Sequence, residues 1–157
     1  MKRSQSIIIC MAVFLLTASL ALGADSRPVQ PKANDKCPVC GMFVAKYREW
    51  VAQIVFKDGS YAVFDGPKDM FKYYLDPAKY NHAKKQADIQ ALYVTEYYST
   101  KVMDARKMFY VLGSDVMGPM GAELVPVDSE KGAREFMKDH AGKRILKFPE
   151  VTTGVLE

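Results

Sequence analysis

Histidine and cysteine are scarce in this 157-residue chain, which has two of the first, three of the second and a single tryptophan. With two histidines and no second C-x-x-C, a zinc ribbon cannot be completed. Surplus charge of one sign is also missing. Lys and Arg number 22 against 18 Asp and Glu. Residues 1–23 hold Lys2 and Arg3 and no acid, so the remainder carries 20 against 18. No long basic run accompanies that small surplus, which excludes an electrostatic footprint for nucleic acid. No Ser/His/Asp set, carboxylate pair or phosphate-cradling loop is evident. A 49% hydrophobic, 25% charged composition rules out a disordered tail, a collagen-like repeat and a multi-span membrane protein.

The long apolar run is Ile7 to Leu22, broken by Thr17 and Ser19. Its sixteen residues fall short of the roughly 20 needed to span hydrocarbon. A basic start at Lys2-Arg3 and the small residues of Ala21-Leu22-Gly23 read as a signal peptide over 1–23, cleaved near Ala24. Cys10 follows isoleucines rather than a small residue, which argues against lipid attachment there. The expected product is therefore exported and soluble, with Cys37 and Cys40 in a compartment that oxidises thiols.

Residues 24–36 are polar with two prolines and read as a flexible lead-in. A weak internal repeat follows. In the first copy, Trp50 to Phe56 and Tyr61 to Phe64 are strands joined by Lys57-Asp58-Gly59-Ser60, a tight-turn sequence. Asp65 is placed to cap a helix with Pro67 in its first turn and Met70, Phe71, Tyr74 and Leu75 inward. Ala91 to Tyr98 is the next strand. In the second copy, Lys107 to Leu112 and Ala122 to Val127 are strands around a Gly- and Met-rich loop from Gly113 to Gly121. Asp128 is placed to cap a helix carrying Ala133, Phe136 and Met137, and Arg144 to Phe148 closes the unit. Both copies read ββαβ, which implies an α+β fold with mainly antiparallel sheets. The units are expected over 37–104 and 105–150, with a tail over 151–157. Each is too small to be stable alone, so they should pack together.

The chemistry is concentrated in Cys37-Pro38-Val39-Cys40-Gly41-Met42. Two thiols three residues apart can face one site, Met42 adds a third sulfur, and Gly41 lets the backbone fold tightly. Thiolate and thioether select Cu(I), because polarisable sulfur binds a polarisable d10 ion. A thioredoxin-like redox pair, expected inside a βαβ pattern, and a structural disulfide compete with that reading. Met117 and Met120 lie in a loop of Gly, Pro and Asp, a poor place for core filler and a usual place for ligand groups. Met70, Met103, Met108 and Met137 read as core, and Trp50, Phe64, Tyr97 and Tyr98 as sheet packing. His82 and His140 read as solvent-exposed.

Four segments resemble the NosL family, accessory proteins of nitrous oxide reductase maturation. They are C-P-V-C-G-M from Cys37, W-V-A-Q-I from Trp50, F-D-G-P-K-D-M-F from Phe64 and D-A-R-K-M-F-Y-V-L-G-S-D-V-M-G-P-M-G-A-E-L-V-P from Asp104. The resemblance implies two ββαβ units side by side, not an enzyme but a carrier that binds Cu(I) in the periplasm. It implies delivery to the multi-copper, sulfide-containing centre of the reductase, with the reductase and its membrane-associated assembly complex as partners. Cys40 and Met42 are the implied ligands, and Met117 and Met120 an additional donor or docking surface. Many members are lipoproteins anchored at an N-terminal cysteine, and some use a histidine near C-G-M where this chain has Pro38 and Val39. The first half is also similar to YHS/TRASH-type metal modules, which usually carry a later cysteine that this chain lacks.

Overall fold

The structure, a computed structural model, describes residues 26–157. The expected signal peptide over 1–23 lies outside the described residues. Strand β1 (Ala52–Phe56) turns through Lys57 to Ser60 into β2 (Tyr61–Phe64). Gly59 takes the positive φ of +81° that the turn requires, and Asp58 accepts from the Ser60 N–H. Helix α1 (Pro67–Leu75) follows, and Asp76 ends it and caps the short α2 (Pro77–Tyr80). Strands β3 (Ile89–Thr95) and β4 (Val102–Asp104) complete an antiparallel sheet ordered β2-β1-β3-β4.

The second unit repeats the topology. Strand β5 (Phe109–Gly118) pairs with β6 (Gly121–Val127) and β7 (Arg144–Lys147), and helix α3 (Glu130–Asp139) connects β6 to β7. Both units thus flank their first strand on either side within an antiparallel sheet. The chain is α+β.

Several local expectations are revised. The segment from Gly113 to Gly121 is not a loop. Strand β5 continues through it after a bulge, and Pro119 and Met120 alone form the tip of a hairpin. Ser129, not Asp128, caps α3 by accepting the Gly132 N–H. Residue Gly66 occupies the N-cap of α1 with no side-chain cap of its own, and Asp65 turns elsewhere. The lead-in is tied down: Val29 N–H donates to Gln53 at 2.8 Å, and the Tyr93 hydroxyl donates to the Ser26 carbonyl. Gln53 and Tyr93 are cross-strand partners, so the lead-in covers that face of the sheet. The final segment forms a 3-10 turn and α4 (Thr153–Leu156), with Val151 and Leu156 buried. Tyr98 is exposed on one side, its ring edge-on to Tyr97 at 5.1 Å.

Helix α1 lies at the junction of the two units. The Phe71 ring meets Tyr110 edge-on at 4.9 Å and Phe148 at 4.9 Å, both from the second unit. Met70, Leu92, Tyr110, Leu124 and Leu146 belong to the same buried cluster. A smaller cluster of Val111, Val125, Val127, Ala133 and Phe136 packs α3 on the other face of the second sheet. One core therefore serves both units, as expected for units too small to fold alone. Phe71→Ala removes a ring shared by both sheets and is expected to cost about 3–5 kcal/mol. Denaturant unfolding followed by tryptophan fluorescence and by far-UV dichroism should show one earlier, coincident transition; two separated transitions would contradict a shared core.

Candidate metal centre

The segment from Cys37 to Met42 closes on itself. The Gly41 N–H donates to the Cys37 carbonyl at 2.8 Å, and the Cys37 N–H donates to the Met42 carbonyl at 2.9 Å. Gly41 has φ of +81°, a conformation that a side chain would strain. An isolated bridge between Lys36 and Phe43 closes the base of the loop. Cys37, 1% exposed, anchors it in the core, while Cys40 and Met42 stay half-buried near the surface.

Both cysteines are free. Each points its thiol at a buried carboxylate from the start of α1. Cys40 Sγ–H donates to Asp65 Oδ1 at 3.1 Å, and Cys37 Sγ–H donates to Asp69 Oδ2 at 3.4 Å. One donor atom from each of these four residues lies within 4.8 Å of all the others. Asp65 lies between the end of β2 and the N-cap Gly66, and Asp69 lies in the first turn of α1, so the strand-to-helix junction brings both carboxylates to the thiols. Asp69 is also paired with Lys72 at 3.1 Å. Asp65 Oδ2 is buried without a hydrogen-bond partner. That oxygen is an acceptor left free beside the thiols.

Burial is the main reason both thiols hold their protons. It pushes Cys37 far up and Cys40 up to about 11, and the hydrogen bond to Asp65 adds to the rise in each. A redox pair needs the reverse, a thiol whose ionisation is made easy. The arrangement therefore disfavours the dithiol oxidoreductase reading.

Asp65 and Asp69 are site residues that the sequence analysis does not single out. The signal was present as two aspartates four apart at a helix start, but a helix-capping role accounted for the first. The capping is done instead by Glu123 of β6. Its Oε1 accepts from the Lys68 N–H at 2.6 Å and from the Leu124 N–H at 2.9 Å. Burial raises the Glu123 carboxyl to about 7. Met117 and Met120 project from the β5–β6 hairpin, 59% and 57% exposed. Met70 and Met108 are core, whereas Met103 and Met137 are half-buried. His82 is exposed, and His140 is half-buried at the end of α3, 3.2 Å from Asp115. Asp65→Asn weakens the acceptor that helps keep Cys40 protonated. Alkylation of Cys40 by iodoacetamide at pH 8.5 should become about threefold faster; an unchanged or slower rate would show that Asp65 does not govern this thiol.

Comparison with known proteins bears on this geometry. The NosL family model matches residues 28–156. The copper-binding lipoprotein NosL of Stutzerimonas stutzeri is 30% identical over 133 residues, covering 83% of this chain and 69% of that protein. The crystal structure of the copper chaperone NosL from Shewanella denitrificans shares the fold, with a TM-score of 0.68 at 22% identity over 83% of this chain and 98% of that one. The solution structure of apo-NosL from Achromobacter cycloclastes is similar over 67% of this chain and 87% of its own, with a TM-score of 0.48 and 26% identity. Among the described residues no helix is long and apolar enough to cross a membrane. Its two antiparallel ββαβ units and the extent of these matches place the chain in the NosL family of copper-binding chaperones.

Proposed function

We propose that this chain is a Cu(I) carrier of the periplasm, loaded at the loop from Cys37 to Met42. The observation that carries the reading is the pair of free thiols gathered beside Met42 on one closed loop in a member of a copper-binding family. Sulfur donors suit the monovalent ion.

Charge decides how many thiols ionise. Two like charges 4 Å apart repel by about 4 kcal/mol at an effective dielectric constant of 20. Each thiolate formed here faces Asp65, Asp69 and the other sulfur. Cys40 is the less buried thiol and the easier to ionise. Cys40 thiolate with the neutral Met42 thioether therefore binds the ion with the least added charge, while Cys37 remains a thiol on Asp69. The thioethers of Met117 and Met120, exposed on the hairpin, supply a further donor or the face a recipient meets. A site of two or three ligands leaves room for an incoming donor, so the ion passes by exchange without release to water.

The recipient we propose is nitrous oxide reductase, reached through its membrane-associated assembly complex. The name of the Stutzerimonas relative and the extent of the family match support copper handling, and the recipient is the one that the resemblance of the four sequence segments implies. The metal serves here as cargo, and no catalytic step is assigned to the chain.

In competition with a Cu(I) chelator under reducing conditions, Cys40→Ser and Met42→Ala should each weaken binding at least about tenfold, and Cys37→Ser less. Failure of the unaltered protein to compete would overturn the reading. Because Cys40 titrates near 11, it is protonated throughout pH 6–8, and binding must release its proton. Apparent affinity should thus rise about tenfold per pH unit over that range. A slope of two protons would mean that Cys37 ionises as well. Mixing the loaded protein with copper-free reductase and its assembly complex should restore the reductase's copper absorbance faster than an equal amount of chelated copper.

A further inference from the structure

Glu123 is buried, 5% exposed, and belongs to the second unit, yet one of its two hydrogen-bond partners, the Lys68 N–H, lies in the first. Its Oε1 takes the Lys68 N–H, one of the orphan donors in the first turn of α1. The helix has no side-chain cap of its own, because its N-cap residue is Gly66. That glycine is required by the contact: a Cβ there would collide with Glu123 Oε2. On its other side the Glu123 stem packs on Gly118, where a Cβ would sit 3.1 Å from its Cγ. Gly118 is the last residue of β5 before the hairpin tip, flanked by Met117 and, two residues on, Met120. Lys68 Nζ reaches back to the Ala122 carbonyl at 3.5 Å.

A continuous path results. The methionine hairpin packs on Glu123, Glu123 caps the turn that begins at Gly66, and the residue before Gly66 is Asp65, which holds the Cys40 thiol. We propose that Glu123 is a positioning residue that clamps the hairpin bearing Met117 and Met120 to the helix start bearing Asp65 and Asp69, so that thioethers of one unit and thiols of the other form one copper site. The geometry is specific to an oxygen at that point, because two backbone N–H groups converge on the same Oε1. The inference rests on the copper reading for its functional consequence but not for its structural content.

The test is a double-mutant cycle on the full chain. Glu123→Ala should lower Cu(I) affinity about tenfold and accelerate alkylation of Cys40 in the metal-free protein, because Asp65 is no longer held against it. Glu123→Gln keeps an oxygen for both N–H donors and should restore both readouts to within about threefold of the unaltered protein. The paired change Met117→Ala/Met120→Ala should weaken Cu(I) binding in the unaltered background and have little further effect in Glu123→Ala. Additive losses, or a folded Glu123→Ala protein that binds and alkylates normally, would overturn the clamp. Should Glu123→Ala not fold, Glu123→Asp, which withdraws the carboxylate by one carbon, takes its place with the same expected outcomes. If the unaltered protein fails to bind Cu(I), the copper reading falls, while unchanged alkylation in the Glu123 variants separately sinks the clamp.

Discussion

Two thiols held on two buried carboxylates form the constraint around which the rest of this molecule is arranged. Cys40 on Asp65 and Cys37 on Asp69 tie a loop near the N-terminus to the start of one helix. That helix is the element on which both sheets converge, through Phe71 against Tyr110 and Phe148. The site is therefore not an appendage of a small β-rich module. It is pinned at the junction of two units, and its geometry depends on their staying packed.

The carboxylates explain a tension in the donor set. Sulfur invites a soft ion, whereas buried acids resist further negative charge close by. A protein that only stored copper would gain from ionising both thiols. One that must hand the ion on gains from a thiolate that is costly to form, because the same cost favours release when a recipient's ligands arrive. Neutral thioethers fit that economy of charge, since they add donor atoms without adding to the repulsion.

Much of the fold could be read along the chain. The turn at Asp58-Gly59, the stop at Asp76-Pro77 and the alternation of the strands are local signals whose physics does not depend on neighbours. The reading failed where tertiary contacts replaced local ones. Gly113 to Gly121 looks like a loop by composition, but Met117 and Gly118 pair with Ala122 and Gly121 of β6 and carry the strand on past the bulge. Asp65 looks like a cap because caps are ordinarily supplied from within the chain's own turn. Here Glu123 arrives from 55 positions beyond the Lys68 N–H it accepts and frees Asp65 for the thiol. The polar lead-in looks unstructured because nothing in it marks the sheet face it covers.

Residue identity and spacing alone gathered two thiols and a thioether between Cys37 and Met42. Soft donors three and two positions apart on a glycine-bearing turn must lie close together however the remainder folds. Which acids meet those sulfurs, which thiol is the easier to ionise and how the methionines of Met117 and Met120 relate to them were decided only by packing. Burial and long-range hydrogen bonds set those properties, and both arise when the second unit closes on helix α1.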